Sequence, residues 1–253
     1  MVPLRQPVPT FVQLAAHPLR WQLLATLSGS DYRVREMVTL VGEPQSLISY
    51  HLRLLRDGGL VRATRSSFDG RDSYYHLDLD RCSQMLGGTG AALHPALGRT
   101  PPPPLFDPKT PVAVLFVCTG NSARSVIAEA LAHHYGNGRV DAISAGTCPK
   151  PDMHPNAVRV LRDEFGIDIT GRRPRDLDTL ADHRFDKVVT LCDKAREVCP
   201  QFGADIRSVH WSIPDPATPG GTDEDTNYPA FQATAAEIDG RIRYLLPILT
   251  TQP

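Results

Sequence analysis

Hydrophobic and polar positions along this chain follow two successive patterns. Over residues 10–27 leucines recur at three- and four-residue spacing (Leu14, Leu19, Leu23, Leu24, Leu27), which predicts a helix stopped by Gly29-Ser-Asp31. A short helix is expected near residues 34–40. Gly42-Glu-Pro44 reads as a turn whose proline suits a first helical position. The next helix, residues 45–56, has two distinct faces. Ile48, Leu52 and Leu55 make one apolar stripe, and Ser46, Ser49, Tyr50 and Arg53 make a polar one at i, i+3, i+4 and i+7. Gly58-Gly59 ends it. Residues 60–65 and 72–77 then read as two strands around a Phe68-Asp-Gly70-Arg71 turn.

After residue 111 the period changes. Residues 112–117 are β-branched or apolar at every position, as in a parallel strand buried on both faces. Further strands are expected at 140–145, 185–191 and 206–211. Between and after them lie helices from Ser125, over 155–165 and over about 227–246, the last marked by Phe231, Ala235, Ile238, Ile242 and Leu245. Strand and helix alternate, which predicts an α/β fold: an open four-stranded parallel sheet with helices on both faces. Residues 87–111, with Gly-Gly-Thr-Gly and then Pro101-Pro-Pro-Pro104, read as a Gly/Pro-rich linker. The expected domains are therefore 1–86, a winged helix, and 112–253, the α/β unit.

Helix, helix-turn-helix and hairpin is the order of a winged helix-turn-helix. The polar face of its second helix fits a DNA major groove, with Gln45, Ser46, Ser49, Tyr50 and Arg53 as reading positions and Arg65 and Arg71 on the hairpin reaching the backbone. The alternative is a winged helix used only for dimer or protein contact.

The candidate chemistry sits where the first α/β strand ends. Cys118 is followed by five residues and then Arg124-Ser125, between a strand and a helix. Thr119, Gly120, Asn121, Ser122 and Ala123 form a tight loop, with Gly120 available for a positive φ. Backbone N–H groups of such a loop, the helix N-terminus and the Arg124 guanidinium make a cradle for a tetrahedral oxyanion. The same donors favour the thiolate of Cys118. The alternative is a buried inert cysteine. Cys192 and Asp215 also lie just past strand ends, where ligands of open parallel sheets collect.

Composition refines this picture. The chain has 253 residues, a formal net charge of −1 and 41% hydrophobic residues, enough for two ordinary cores and with no global charge for nucleic acid or membrane. The N-terminal residues show no secretory pattern and no apolar run nears a membrane span, so a cytoplasmic protein is expected. Five cysteines, an odd number, do not read as a disulfide framework.

Two resemblances follow. The residues His17-Pro-Leu-Arg, Ser49-Tyr-His-Leu-Arg-Leu-Leu, Gly59-Leu-Val and Tyr74-Tyr75-His-Leu make residues 10–80 similar to the ArsR/SmtB-type repressors. That resemblance implies operator DNA as a partner, a homodimer, and release by a metal or arsenite ligand. No inducer site is legible: Cys82 with Asp78, Asp80 and His94 lacks ligand spacing.

Residues 112–250 resemble the low-molecular-weight tyrosine phosphatase fold, and within it the thioredoxin-coupled arsenate reductases. The second likeness rests on Ala217 after Asp215-Pro216, on Val188-Val-Thr-Leu-Cys192-Asp-Lys-Ala-Arg-Glu-Val-Cys199-Pro200, and on His210-Trp211. It implies Cys118 as nucleophile, Arg124 as anion clamp, Ser125 as thiolate-stabilising hydroxyl, Asn121 as loop brace and Asp215 as general acid. It implies arsenate as substrate, thioredoxin as reductant, no organic cofactor, and a potassium site over Asn121, Glu129, Ser144 and Asp176. The implied relay runs from Cys118 to Cys192 to Cys199. If residues 192–199 were all helical, the two outer cysteines would be about 10 Å apart at 1.5 Å per residue. A disulfide tolerates roughly 7 Å at most, so the segment is expected to unwind or bend on oxidation. A low-molecular-weight phosphatase regulated by the winged helix is the alternative function. A pure regulator that only binds oxyanion is a third. Cys148 matches no role.

Overall fold

A computed structural model of the chain describes residues 7–68, 70–98, 111–199, 207–217 and 224–250. The chain divides into two compact units near residue 102.

The first unit opens with α1 (Thr10–Ala15) and α2 (Pro18–Leu27). The leucine pattern predicted one helix here. Pro18 divides it, because its ring excludes the preceding turn, and His17 caps α2 by accepting the Leu19 N–H at 3.2 Å through Nδ1. After β1 (Tyr32–Arg33), α3 (Val34–Val41) begins with Glu36 accepting the Arg33 N–H at 2.8 Å. α4 (Gln45–Asp57) follows, with Pro44 as its N-cap rather than its first turn. β2 (Val61–Arg65) and β3 (Ser73–Leu77) form the hairpin, and β1 joins β3 antiparallel in the order β1-β3-β2. Leu23, Met37, Ile48, Leu52, Leu55 and Leu60 are fully buried and make the core.

The expected linker start is wrong. α5 runs Leu79–Leu93, straight through Gly87, Gly88 and Gly90, and a 3-10 turn at Pro95–Gly98 follows. The glycines serve a close approach. A Cβ on Gly90 would stand 2.2 Å from the Leu97 carbonyl oxygen, and one on Gly98 would stand 3.0 Å from the Ala91 Cβ. A bare helix face lets the chain fold back on it. Pro101–Pro104 lies outside the described residues.

The second unit is β4 (Val112–Cys118), α6 (Arg124–Gly136), β5 (Val140–Gly146), α7 (Pro155–Phe165), a 3-10 turn (Leu177–Leu180), β6 (Lys187–Thr190), α8 (Asp193–Val198), β7 (Arg207–His210) and α9 (Glu224–Thr250). All strand pairs are parallel, in the order β5-β4-β6-β7. β6 and the described part of β7 are shorter than the apolar runs that predicted them, and α9 is longer at both ends. The core joins Leu115, Phe116 and Val117 of β4 to Ile127 and Leu131 of α6 and Phe231, Ile238 and Ile242 of α9. α6 buries nearly its whole circumference, and its alanines (Ala128, Ala130, Ala132) combine high helix propensity with little bulk. Order β5-β4-β6 puts the C-terminal ends of β4 and β6 side by side, which sets Cys118 and Cys192 at one edge of the sheet.

Candidate active site

Cys118 is the last residue of β4 and is buried, with its backbone paired to Gly146 at the end of β5. The loop turns from strand to helix at Asn121, which has φ +46, and not at Gly120 as the sequence suggested. Asparagine tolerates this region through local hydrogen bonds. Glycine is needed at two neighbouring points for space. A Cβ on Gly146 would lie 2.7 Å from the Thr119 carbonyl oxygen, and one on Gly120 would press on the Lys150 stem at 3.1 Å.

The segment after β5 laces the loop from outside. Thr147, Cys148, Lys150 and His154 donate their N–H groups to the carbonyls of Cys118 (3.1 Å), Thr119, Gly120 and Ser122 (each 2.9 Å). With those carbonyls engaged outward, amides remain for the interior of the loop, together with the N-terminus of α6. Cys118 Sγ already receives two contacts, the Asn121 N–H at 3.3 Å and the Ser125 hydroxyl at 3.0 Å. Ser122, Ala123 and Arg124 line the same cleft.

Arg124 is the first residue of α6 and is buried. It donates through Nη1 to the Ile213 carbonyl at 3.0 Å and through Nη2 to Asp215 Oδ2 at 2.8 Å. Asp215 is half exposed and its other oxygen accepts the Ala217 N–H at 3.2 Å. Clamp and carboxylate therefore stand together at the cleft.

Cys192 opens on the same cleft. Its sulfur lies 3.3 Å from the Thr119 hydroxyl and accepts the Ala195 N–H at 3.4 Å as the N-cap of α8. Cys199 is the C-cap of the same helix, half-buried, with its N–H on the Ala195 carbonyl at 2.8 Å. Burial, and next the neighbouring charge of Cys192, push the Cys199 thiol up to about 11. All five cysteines are free; Cys148 is exposed, and Cys82 is buried, its thiol raised to about 11 by burial and then by Asp78.

One feature here had no motif to announce it. Asp193, directly after Cys192, is buried with His210 Nε2 at 3.1 Å and the Ser212 hydroxyl donating at 2.8 Å, while His210 Nδ1 meets Thr190 Oγ1 at 2.9 Å. Burial works to raise the Asp193 carboxyl, but the hydrogen bonds from His210 and Ser212 overcome it and hold the group below the ordinary carboxylate range. This pins the N-terminus of α8 to the ends of β6 and β7. His210-Trp211 was the only sequence signal near it.

The residues implied as a potassium site are arranged differently. Asn121 Nδ2 donates to Ser144 Oγ at 2.8 Å, Ser144 donates to Glu129 Oε2, and Arg172 Nη1 sits on Glu129 Oε1 at 2.9 Å. Asn121 Oδ1 accepts the Arg175 N–H at 2.6 Å. Asp176 uses its carboxylate to cap the 3-10 turn, accepting the Asp178 N–H at 3.0 Å. Oxygens that would face a cation are taken by donors, one of them a guanidinium, so the set does not fit a bound potassium ion.

In the first unit Gln45, Ser46, Ser49, Tyr50 and Arg53 are all exposed on α4, opposite the buried Ile48, His51, Leu52 and Leu55. The Arg53 guanidinium lies 5.7 Å from the Tyr50 ring centre. Arg65 and Arg71 are exposed on the hairpin, with Arg65 donating to the Gly70 carbonyl at 2.8 Å.

A cysteine at the floor of an amide-lined loop, between a parallel strand and a helix that starts with arginine, defines the class: an α/β oxyanion-loop protein carrying a winged helix-turn-helix. Residues 113–252 match the family described as low molecular weight phosphotyrosine protein phosphatase, and residues 17–63 match the bacterial regulatory protein, arsR family. The chain belongs to the low molecular weight phosphotyrosine protein phosphatase family, with an arsR-family helix-turn-helix ahead of that domain. The arsenate reductase of Halalkalibacterium halodurans is 38% identical over 130 residues, 51% of this chain and 91% of that protein. That of Bacillus subtilis is 36% identical over 130 residues, again 51% and 91%. A crystal structure of arsenate reductase from Archaeoglobus fulgidus is 33% identical, covers 53% of this chain and 98% of that one, and has a TM-score of 0.43. Among the described residues no helix is long and apolar enough to cross a membrane.

Proposed function

We propose that the second unit reduces arsenate to arsenite by a three-cysteine relay and that the first unit is a DNA-binding repressor module. The observation that carries the enzymatic reading is the contact of Cys192 with Thr119, which brings a second thiol to the rim of the loop that holds Cys118.

Cys118 thiolate, held by the Ser125 hydroxyl and the Asn121 N–H, attacks the arsenic of a bound arsenate. Arg124 and the loop amides take its oxygens, and Asp215 gives a proton to the departing oxygen, which leaves as water. Cys192 then attacks the Cys118 sulfur. The S–As bond breaks, its electron pair stays on arsenic, and arsenite leaves as a Cys118–Cys192 disulfide forms. Two electrons have passed from two thiols to As(V). Cys199 attacks Cys192, freeing Cys118 and carrying the disulfide to the half-buried end of α8, where Val198 is exposed beside it for thioredoxin to dock. Purified protein should release arsenite with thioredoxin and its reductase. Cys118→Ser should abolish release. Full turnover in Cys192→Ser or Cys199→Ser would remove the relay.

Hydrolysis of phosphate esters is the second reading, favoured by the Arg124–Asp215 pair alone. It predicts brisk aryl phosphate turnover that survives loss of Cys192 and Cys199.

The exposed polar face of α4 supports DNA binding, and apolar side chains exposed on α1 and α5 (Val12, Leu86, Leu93) support dimerisation of the first unit. A mobility shift on the upstream region of its own gene tests the first, and sedimentation tests the second.

A further inference from the structure

We propose that Arg172 is a positioning residue for Cys118: its guanidinium supplies, as part of the chain, the fixed positive charge beneath the oxyanion loop that the arsenate-reductase resemblance assigns to potassium. The inference rests on Cys118 being the reactive thiol, as proposed above.

A continuous chain of contacts joins the two residues. Arg172 Nη1 lies 2.9 Å from Glu129 Oε1. Glu129 is buried in the middle of α6 and would otherwise be an uncompensated charge in the core. Its other oxygen accepts the Ser144 hydroxyl. Ser144 has then spent its one proton, so Asn121 Nδ2 must donate to it, as the 2.8 Å contact shows. The Arg175 N–H on Asn121 Oδ1 at 2.6 Å fixes the same amide orientation from the other side. Asn121 Nδ2 also donates to Ser125 Oγ at 2.9 Å. Ser125 thereby accepts from asparagine, and its own proton points to Cys118 Sγ, 3.0 Å away. Each donor direction follows from the previous one, and the first is set by the carboxylate that Arg172 grips. The outcome is a serine obliged to donate to the sulfur, a hydrogen bond held in one direction on the attacking atom. Arg172 is half exposed, in the stretch between α7 and the Leu177–Leu180 turn, and touches neither the loop nor the cleft.

The test is the rate of Cys118 alkylation by iodoacetamide, followed by peptide mapping, in potassium chloride and in choline chloride at equal ionic strength. Alkylation needs no arsenate, so it is read independently of the reductase reading. Wild-type protein is expected to react equally in both salts and to melt at the same temperature in both. Arg172→Ala is expected to react about tenfold more slowly in choline chloride, the loss of one hydrogen bond to a charged group, and to recover in potassium chloride. Arg172→Lys should restore the rate without potassium. In Arg172→Ala with Glu129→Gln, potassium should no longer help, because the anionic site is gone. A wild-type protein whose alkylation or melting temperature rises with potassium overturns the proposal, whether or not Arg172→Ala folds. So does an Arg172→Ala variant that reacts like wild type.

Discussion

At the residue scale, the loop around Cys118 is shaped as much by what is missing as by what is present. Gly146 lies on β5, across from Cys118, and a methyl there would meet the Thr119 carbonyl at 2.7 Å and the Asn121 nitrogen at 3.0 Å. Gly146→Ala should therefore lower stability by about 1–3 kcal/mol and slow Cys118 alkylation; an unchanged melting temperature would show that the loop yields easily. Cys199 gives a pH prediction. Its thiol is raised to about 11, so in the reduced protein it is protonated at neutral pH. Alkylation of Cys199 should climb with pH until near 11, whereas a levelling near the ordinary cysteine value of about 8.5 would contradict the burial argument. The cysteine, the arginine and the serine of the loop were legible because their spacing is local. The positive φ at Asn121 was not, because the loop's shape depends on Gly146, distant in sequence. Asp193, Arg172 and Arg175 were illegible for the same reason: their partners lie on other strands and helices.

At the scale of elements, α8 is the part that has to change. It has six residues, and cysteines cap both ends. Joining those cysteines breaks the Arg196→Cys192 and Cys199→Ala195 backbone bonds (3.1 and 2.8 Å). In Cys118→Ser protein oxidised to the Cys192–Cys199 disulfide, hydrogen exchange at residues 196–199 should accelerate while β4 and α6 stay protected. Equal protection in both redox states would mean that the helix does not open. Asp193 anchors the other end of this motion. Its folded carboxyl sits below its unfolded value, so the stability it contributes is full above about pH 4 and is lost as pH falls further. The melting temperature of wild type should thus fall more steeply between about pH 4 and 2 than that of Asp193→Asn. α5 teaches the opposite lesson about glycine. Propensity alone says Gly90→Ala should stabilise a helix by about 1 kcal/mol. The Leu97 carbonyl 2.2 Å from the added carbon says it should destabilise this one, which thermal unfolding decides. The glycine run was read as a linker because composition does not reveal which helix face another segment must approach.

At the scale of the whole molecule, the change of hydrophobic period after residue 111 already separated a winged helix from an α/β sheet, and both patterns were legible because amphipathic spacing is set by the element itself. What pattern reading left open is whether the two units work on the same signal. If α4 reads DNA, Arg53→Ala should weaken operator binding roughly tenfold or more, as loss of a base or phosphate contact does, and leave arsenite release unchanged. Loss of both together would point to a damaged fold. The central claim is the sulfur relay, and single-turnover arsenite release tests it most directly. One equivalent of arsenate is mixed with reduced protein without thioredoxin, and arsenite and free thiols are counted together. The account predicts one arsenite and two thiols lost per chain in wild type, the same in Cys199→Ser with the disulfide held between Cys118 and Cys192, and none in Cys118→Ser. Arsenite released by Cys192→Ser at the wild-type rate, or release with no loss of thiols, would contradict it.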